Sequence, residues 1–329
     1  MFEGRTILVT GGTGSWGQEL ARKLLAKRPK EIRIFSRNEY VQVQMQRAFD
    51  NHPSLKFRIG DVRDYQAVWD ACAGVDYVFH LAALKHVPIC EFQPAEALKT
   101  NVTGTENLIR ASIAQGVRKV IDVSTDKAVE PVNVYGMTKA LGERLMIRAN
   151  DRSEKTRFVC IRGGNVLGTN GSVVPFFRNQ ILAGHPIPLT SKEMTRFFLT
   201  VSEAIELLLK AAEVSIGGET FVMKMNACNI YDLAIVMREH LAVTPVPIQE
   251  IGIRPGEKLH EVLVSRYESM HTYCYGDQYF VILPDHPSPE LARQYGSLQP
   301  VPFQEYNSRM SLMSHKEIAR MLKKGGFLD

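Results

Sequence analysis

The sequence predicts an α/β fold, a doubly wound parallel sheet followed by a smaller C-terminal lobe. Three observations carry that prediction. Short β-branched runs alternate with helical patterns through the first half of the chain. The first run leads straight into a glycine-rich turn that opens a helix. Past about residue 165 the alternation stops, and glycine and proline arrive in clusters.

The runs at 6–10 (TILVT), 31–35 (EIRIF), 55–59 (LKFRI), 77–81 (YVFHL), 119–123 (KVIDV) and 157–161 (RFVCI) are short and largely apolar, as strands covered on both faces must be. Between them, 18–26 (QELARKLLA), 95–115 and 135–148 follow helical periodicity. Strand and helix alternating at this spacing give right-handed βαβ units. Beyond residue 165, the segments 168–171, 185–188 (HPIP), 254–256 (RPG), 284–289 and 300–302 punctuate shorter elements. Residues 202–214 return to a clean amphipathic helix that is expected to pack back on the first lobe.

Composition excludes several classes. A chain of 329 residues with 45% hydrophobic residues forms one large domain or two, with ample core material. Forty Lys+Arg against 35 Asp+Glu leave a net charge of +5, and no basic block exceeds Lys323-Lys324, so no nucleic-acid partner is expected. The first twenty residues carry Glu3 and a glycine-rich stretch where a signal peptide needs its apolar segment, and no window of ~18 apolar residues follows. A cytoplasmic protein with no membrane partner is expected. The cysteines at 72, 90, 160, 228 and 274 are odd in number, scattered and without CxxC spacing, which reads as core thiols rather than disulfides or a metal site.

In TGGTGSWG, Gly11, Gly14 and Gly17 follow the first strand and open the first helix, a GxxGxxG relative of the Rossmann fingerprint. Glycines let the backbone approach a pyrophosphate at the helix N-terminus, with Thr13, Ser15 and Trp16 between them as further contacts. The second strand ends in Ser36 and Arg37 rather than an acid, which favours the 2′-phosphate of NADP over NAD. The competing reading is that Arg37 is a solvated helix-start residue and that Glu39 supplies the acid for NAD. Asp61 and Val62 after the third strand, and Ala82 and Ala83 after the fourth, stand where adenine and ribose contacts are made.

Ser124, Thr125, Asp126 and Lys127 close the fifth strand at the carboxyl edge, where open α/β sheets bind ligands. Tyr135 and Lys139 then form YxxxK at a helix start. Four residues are about one turn, so the ammonium can lower the phenol's pKa toward acid/base use. A surface Tyr with a solvated Lys, and a capping Asp126 beside an exposed Lys127, are the structural alternatives.

TGGTGSWG, STDK and YGMTK together resemble an extended short-chain dehydrogenase/reductase. ALKHVP (83–88), STDKAVEPVNVYG (124–136), GNV (164–166), GSVVPFF (171–177), MTRF (194–197) and GIRPGEKLHE (252–261) narrow the resemblance to the inverting UDP-N-acetylglucosamine 4,6-dehydratases of pseudaminic-acid and capsule-sugar biosynthesis. The similarity runs in register over nearly the whole chain. It implies that Tyr135, polarised by Lys139, takes the proton of the sugar's 4-hydroxyl while carbon 4 gives hydride to NADP. Lys127, kept neutral by burial and by Lys139 or cofactor charge, would deprotonate carbon 5. Asp126, protonated, would donate to the leaving 6-hydroxyl, with Thr125 beside them. Hydride would then return to carbon 6. Lysine after Asp126, where retaining relatives carry glutamate, implies inversion at carbon 5 and UDP-2-acetamido-2,6-dideoxy-β-L-arabino-hex-4-ulose as product.

The resemblance also places Lys85 and His86 at the sugar or its phosphates, Lys85 doubling as a cofactor contact. It carries UDP-binding roles to Asn165, Arg196, Arg254 and Glu257, with Val173 in GSVVPFF among the substrate contacts. Guanidiniums suit a diphosphate, and a carboxylate suits ribose hydroxyls. One departure stands out: Gly163 replaces the aromatic of an expected Arg-Tyr-Gly-Asn run, which predicts a roomier or reshaped pocket. The expected organisation is an NADP-binding lobe of residues 1–164 plus about 197–217, and a UDP-sugar lobe of 165–196 and 218–329. A homo-oligomer, dimer or higher, is expected through the apolar stripes of 95–115 and 135–148. Other readings of the same site are carbon-5 epimerisation of a UDP-4-keto-6-deoxy sugar, nucleotide-sugar 4-epimerisation, and a non-catalytic NADP-binding regulator.

Overall fold

The computed structural model describes residues 1–168 and 172–328, so Gly171 of the GSVVPFF motif lies outside the described residues. All six predicted strands form: β1 (Thr6–Thr10), β2 (Glu31–Ser36), β3 (Leu55–Ile59), β4 (Tyr77–His80), β5 (Lys119–Thr125) and β6 (Arg157–Gly163). They pair in parallel in the order β6-β5-β4-β1-β2-β3, which is the doubly wound arrangement. Beyond β6 the sheet continues into Thr220–Met223, parallel, and then the antiparallel strands Tyr279–Ile282 and Thr272–Tyr275. These three strands fall within 218–329, which the sequence reading gave to the second lobe. Their apolar runs are too short to reveal a partner from sequence, because pairing is set by distant backbone.

Alternate residues of the parallel strands point to opposite faces. Ile7, Val9, Ile121 and Val159 pack with Leu20, Leu24, Ile205 and Leu208 from helices Ser15–Leu25 and Val201–Val214. Leu8, Val78, Val120 and Phe158 pack with Val68, Leu108 and Met146 on the other face. Helix Val201–Val214 thus returns to the first lobe as expected, started by a capping box between Thr200 and Glu203. A third core joins helices Val173–Leu182, Ile230–Leu241 and His315–Lys324. All five cysteines are free thiols, and four are buried. No helix among the described residues is long and apolar enough to cross a membrane.

The helix expected over 95–115 is broken in the middle. Pro94–Leu98 and Gly104–Ala114 flank a wider π-type turn at Lys99–Thr103. The turn brings Asn101 against the loop after β4, where it accepts from the Leu84 amide at 2.8 Å and donates to the Leu84 carbonyl at 2.9 Å and to Thr138 Oγ1 at 3.0 Å. Gly104 follows because a Cβ there would lie 2.7 Å from Val62 Cγ2.

Helix Val134–Arg148 reverses the usual pattern. Its sheet-facing side carries Lys139, Glu143 and Met146, whereas Met137 and Leu141 are exposed. The sheet answers with charge: Arg162 of β6 donates to both oxygens of Glu143, at 2.7 and 3.1 Å, and to both of Glu268, at 3.0 and 3.2 Å. Burial opposes the Arg162 charge, but the two carboxylates outweigh it and hold the guanidinium protonated. Breaking a buried pair on one side costs about 3–5 kcal/mol. Arg162→Leu is therefore expected to lower unfolding stability by about that amount, read from urea midpoints.

Candidate active site

A cleft of about 630 Å³ runs along the carboxyl edge of the sheet, from the glycine turn to the start of helix Val134–Arg148. Gly11, Thr13, Gly14, Ser15, Trp16 and Gly17 line one end. Gly11 sits at φ +66°, and a Cβ there would lie 2.8 Å from the Ala82 nitrogen, so two strand-end backbones meet at this turn only because the residue is glycine. Ser36, Arg37, Asp61, Val62, Ala82 and Ala83 extend the wall. Arg37 is exposed, 3.9 Å from Asp61. Burial would raise the Asp61 pKa, but hydrogen bonds and charge from Arg63, with Arg37 behind, leave it lowered. A ribose-binding acid at the end of β2 is absent from this wall, and the Arg37 cation stands in its place.

The other end holds Ser124, Thr125, Lys127, Tyr135, Lys139 and Asn165, with Lys85 and His86 at the exposed rim. β5 runs two residues beyond the expected strand and so delivers Ser124 and Thr125 to the edge. Asn133 caps the following helix by accepting from the Gly136 amide at 2.7 Å, which places Tyr135 in its first turn. The buried Ser124 hydroxyl has no partner among the described residues, as suits a wall built for a polar ligand. The cleft's length, its glycine turn and this orphaned hydroxyl fit a dinucleotide.

Burial raises the Tyr135 pKa, and Lys139, Lys127 and a hydrogen bond from Thr125 only partly offset it. The expectation that lysine lowers the phenol is thus met in sign but outweighed by desolvation. Lys139 donates to both oxygens of Asp122 at 3.2 Å. Against burial, Asp122 and Tyr135 keep that ammonium charged.

Asp126 is fully buried, and its Oδ1 accepts from Lys127 Nζ at 3.0 Å and Thr125 Oγ1 at 2.9 Å. Lys127 also donates to Asn165 Oδ1 at 3.2 Å and lies 3.5 Å from Glu261 Oε1. Here the structure corrects the sequence reading. Burial alone favours a neutral Lys127, as expected, but Asp126 and Glu261 overcome it and push the pKa up. Glu261 is the residue that sequence reasoning missed. It closes the GIRPGEKLHE motif, yet only the fold shows that it bridges Lys127 to Arg196 Nε, 3.4 Å away. Asp122 was missed too, although an acid inside the apolar run KVIDV was its visible signal.

The remaining substrate positions are not gathered on the cleft wall. Arg196 is buried behind Glu261 and donates to the Thr195, Leu259 and Lys258 carbonyls at 2.7–3.2 Å. Arg254 is exposed and 3.9 Å from Glu257, in a loop docked by Asn133 Nδ2 on the Gly256 carbonyl at 2.8 Å. Val173 begins helix Val173–Leu182 one residue past Ser172, which does line the cleft. Gly163 is buried off the wall, with Met223 Sδ 3.3 Å from where its Cβ would stand. Met223 thus stands against Gly163, beside the position where the expected run carries its aromatic.

A glycine turn after β1 and Tyr135 and Lys139 one helical turn apart at the carboxyl edge of β5 define an extended short-chain dehydrogenase/reductase. The chain belongs to the polysaccharide biosynthesis protein family, which it matches over residues 7–283. The inverting UDP-N-acetylglucosamine 4,6-dehydratase of Campylobacter jejuni subsp. jejuni serotype O:2 is 43% identical over 288 residues, 86% of this chain and 84% of that protein. A UDP-glucose 4-epimerase of Rickettsia bellii (strain RML369-C) is 46% identical over 286 residues, 85% of this chain and 83% of that protein. The X-ray structure of Pen from Bacillus thuringiensis superposes with TM-score 0.90 at 38% identity, covering 98% of this chain and 99% of that one. DesIV, a dTDP-glucose 4,6-dehydratase from Streptomyces venezuelae with NAD and TYD bound, shares the fold at TM-score 0.73 and 21% identity, covering 97% and 96%. The protein is thus of the nucleotide-sugar dehydratase and epimerase kind.

Glu261→Gln removes one of the two carboxylates that keep Lys127 charged. The Lys127 pKa is expected to fall by about one unit or more. Its trinitrophenylation at pH 8, mapped by peptide mass spectrometry, should then quicken roughly tenfold per unit, while surface lysines stay unchanged.

Proposed function

We propose that the protein is an NADP-dependent UDP-N-acetylglucosamine 4,6-dehydratase that inverts carbon 5 and works as a cytoplasmic homo-oligomer. The observation that carries this reading is the Asp126–Lys127 pair at 3.0 Å, with Lys127 on the cleft wall that also bears Tyr135 and Lys139 and Asp126 buried directly behind it. Elimination of water needs an acid and a base side by side, whereas 4-epimerisation needs proton transfer at the 4-hydroxyl alone and no such second pair. The Campylobacter relative supports the substrate and the Rickettsia relative the epimerase alternative. On this reading the glycine turn, Ser36, Arg37, Asp61, Val62, Ala82 and Ala83 hold the dinucleotide. Lys85, His86, Asn165, Val173, Arg196, Arg254 and Glu257 serve the UDP-sugar, the last three as the second lobe closes over it. Exposed Phe92, Met137 and Leu141 suit a face between copies.

When bound, NADP supplies hydride acceptance at carbon 4 and hydride return at carbon 6. Tyr135 takes the proton of the 4-hydroxyl, and the resulting ketone acidifies the proton on carbon 5. The resting pair is Asp126 carboxylate with Lys127 ammonium. Moving one proton from Lys127 to Asp126 creates the neutral amine and the carboxylic acid together. Lys127 then takes the carbon-5 proton and Asp126 protonates the leaving 6-hydroxyl, which departs as water and restores the ion pair; with hydride returned to carbon 6, carbon 5 would take up a proton on the opposite face, offsetting the one Tyr135 removed. Asp126 Oδ2 is buried and has no partner among the described residues, so on this reading the donation needs the sugar to reach past Lys127 to a carboxyl that is closed off in this structure.

Proton NMR of the purified protein with UDP-N-acetylglucosamine in heavy water tests the reading. A 6-deoxy-4-keto sugar with deuterium at carbon 5 and inverted configuration is expected, and retention of the 6-hydroxyl overturns it. Lys127→Ala should lower turnover by about 10²–10⁴. Cofactor choice has its own test: Arg37→Ala should weaken NADP binding roughly ten- to a hundredfold and leave NAD binding unchanged in calorimetry.

A further inference from the structure

The face of the sheet beneath helix Val134–Arg148 carries a row of polar residues across four adjacent strands. Thr10 of β1 is paired in register with His80 of β4, His80 with Asp122 of β5, and Asp122 with Cys160 of β6. All four are buried. A carboxylate inside a parallel sheet is costly unless paired, so its presence calls for a cause.

The other groups around it are already committed. His80 bonds Thr10 Oγ1 at 2.7 Å and Thr105 Oγ1 at 3.2 Å, and burial with Lys139 beside it holds the ring neutral, at a pKa of about 3. The Cys160 thiol is pushed well up by burial and by Asp122 and Glu143, so it stays protonated. Glu143 is taken by Arg162. Lys139 is the group that answers Asp122, with both carboxylate oxygens at 3.2 Å from its ammonium.

We propose that Asp122 is a positioning residue of the Tyr135–Lys139 pair, fixing from beneath where the ammonium sits and setting how much positive charge the phenol meets. The proposal rests on the reading above only in that it treats this pair as the reacting one. Tyr135 feels two ammonium groups, Lys139 and Lys127. Lys127 is countered within the cleft by Asp126 and Glu261, and Lys139 is countered within the core by Asp122. Without Asp122, the full charge of Lys139 falls on the phenol, and the buried ammonium loses the partner that keeps its proton.

Both effects have the same sign. A negative charge beside two acids raises both pKa values, so removing it lowers both, and the coupled pair releases its first proton at lower pH. Burial raises Asp122 itself to about 6, so from neutrality upward it is ionised and the compensation is complete. As pH falls through about 6, Asp122 takes a proton and the compensation is lost.

The test is a titration of Tyr135 absorbance at 295 nm from pH 7 to 11 without substrate or cofactor, each protein read against its Tyr135→Phe counterpart. Asp122→Asn keeps the side chain's shape and should move the transition down by about one pH unit or more, with the ascending limb of kcat, set by Tyr135 as base, moving likewise. In a Lys139→Met background the same change should shift the transition by less than half as much. An unshifted transition in folded Asp122→Asn overturns the proposal, as does an equal shift in both backgrounds. If Asp122→Asn does not fold, Asp122→Asn/Lys139→Met removes both charges; recovered cooperative unfolding upholds the pairing, and continued failure overturns it. The absorbance readout needs no turnover, so it succeeds or fails independently of the dehydratase reading.

Discussion

Helix Val134–Arg148 docks on the sheet through charge, and the geometry of the cleft depends on that docking. Lys139 and Glu143 lie four residues apart on its inner side and meet Asp122 of β5 and Arg162 of β6. An apolar helix face can slide or rotate over an apolar sheet at little cost. Two buried ion pairs on adjacent strands cannot, because any rotation leaves charge unpaired in the interior. The helix is thereby registered against the strand ends, and Tyr135 in its first turn inherits that precision.

The same logic ties the second lobe to the first. Arg162 reaches past Glu143 to Glu268 and the Leu263 carbonyl, and Glu261 reaches back to Lys127. The segment 261–268 therefore touches both the helix dock and the Asp126–Lys127 pair. Asn133, which caps the helix, also holds the loop bearing Arg254 and Glu257. Closure of that loop over a nucleotide sugar would be felt at the helix start through a single side chain.

Much of the fold was legible because parallel strands must be apolar and short, and the six runs stand out against their surroundings. The glycine turn and YxxxK were legible because each is local, its parts less than two helical turns apart. What stayed hidden depends on register. His80, Asp122 and Cys160 are visible as polar letters in apolar runs, but only strand pairing places them in one row. Glu261 lies 134 positions from Lys127, and no local pattern links them. The break at Lys99–Thr103 escaped notice because a π-type turn keeps helical composition and changes only the hydrogen-bond spacing. The charged inner face of 135–148 stayed hidden for a related reason: the apolar stripe was legible, but which side meets the sheet was not.

The two cleft lysines show how similar side chains can be given different tasks by their counter-ions. Lys139 borders the cleft beside Tyr135 but is largely buried, and Asp122 in the core holds its ammonium charged, which suits it to act as a fixed charge. Lys127 is partly exposed to the cleft and faces Asp126, whose second oxygen is unengaged. Lys127 Nζ lies 3.0 Å from Asp126 Oδ1, a direct path for one proton between them. A fixed charge polarises one hydroxyl throughout a reaction, whereas a movable proton lets acid and base appear only together. On the proposed reading, oxidation at carbon 4 calls for the first arrangement and loss of water across carbons 5 and 6 for the second, and giving the two lysines different counter-ions would let both operate in one cleft.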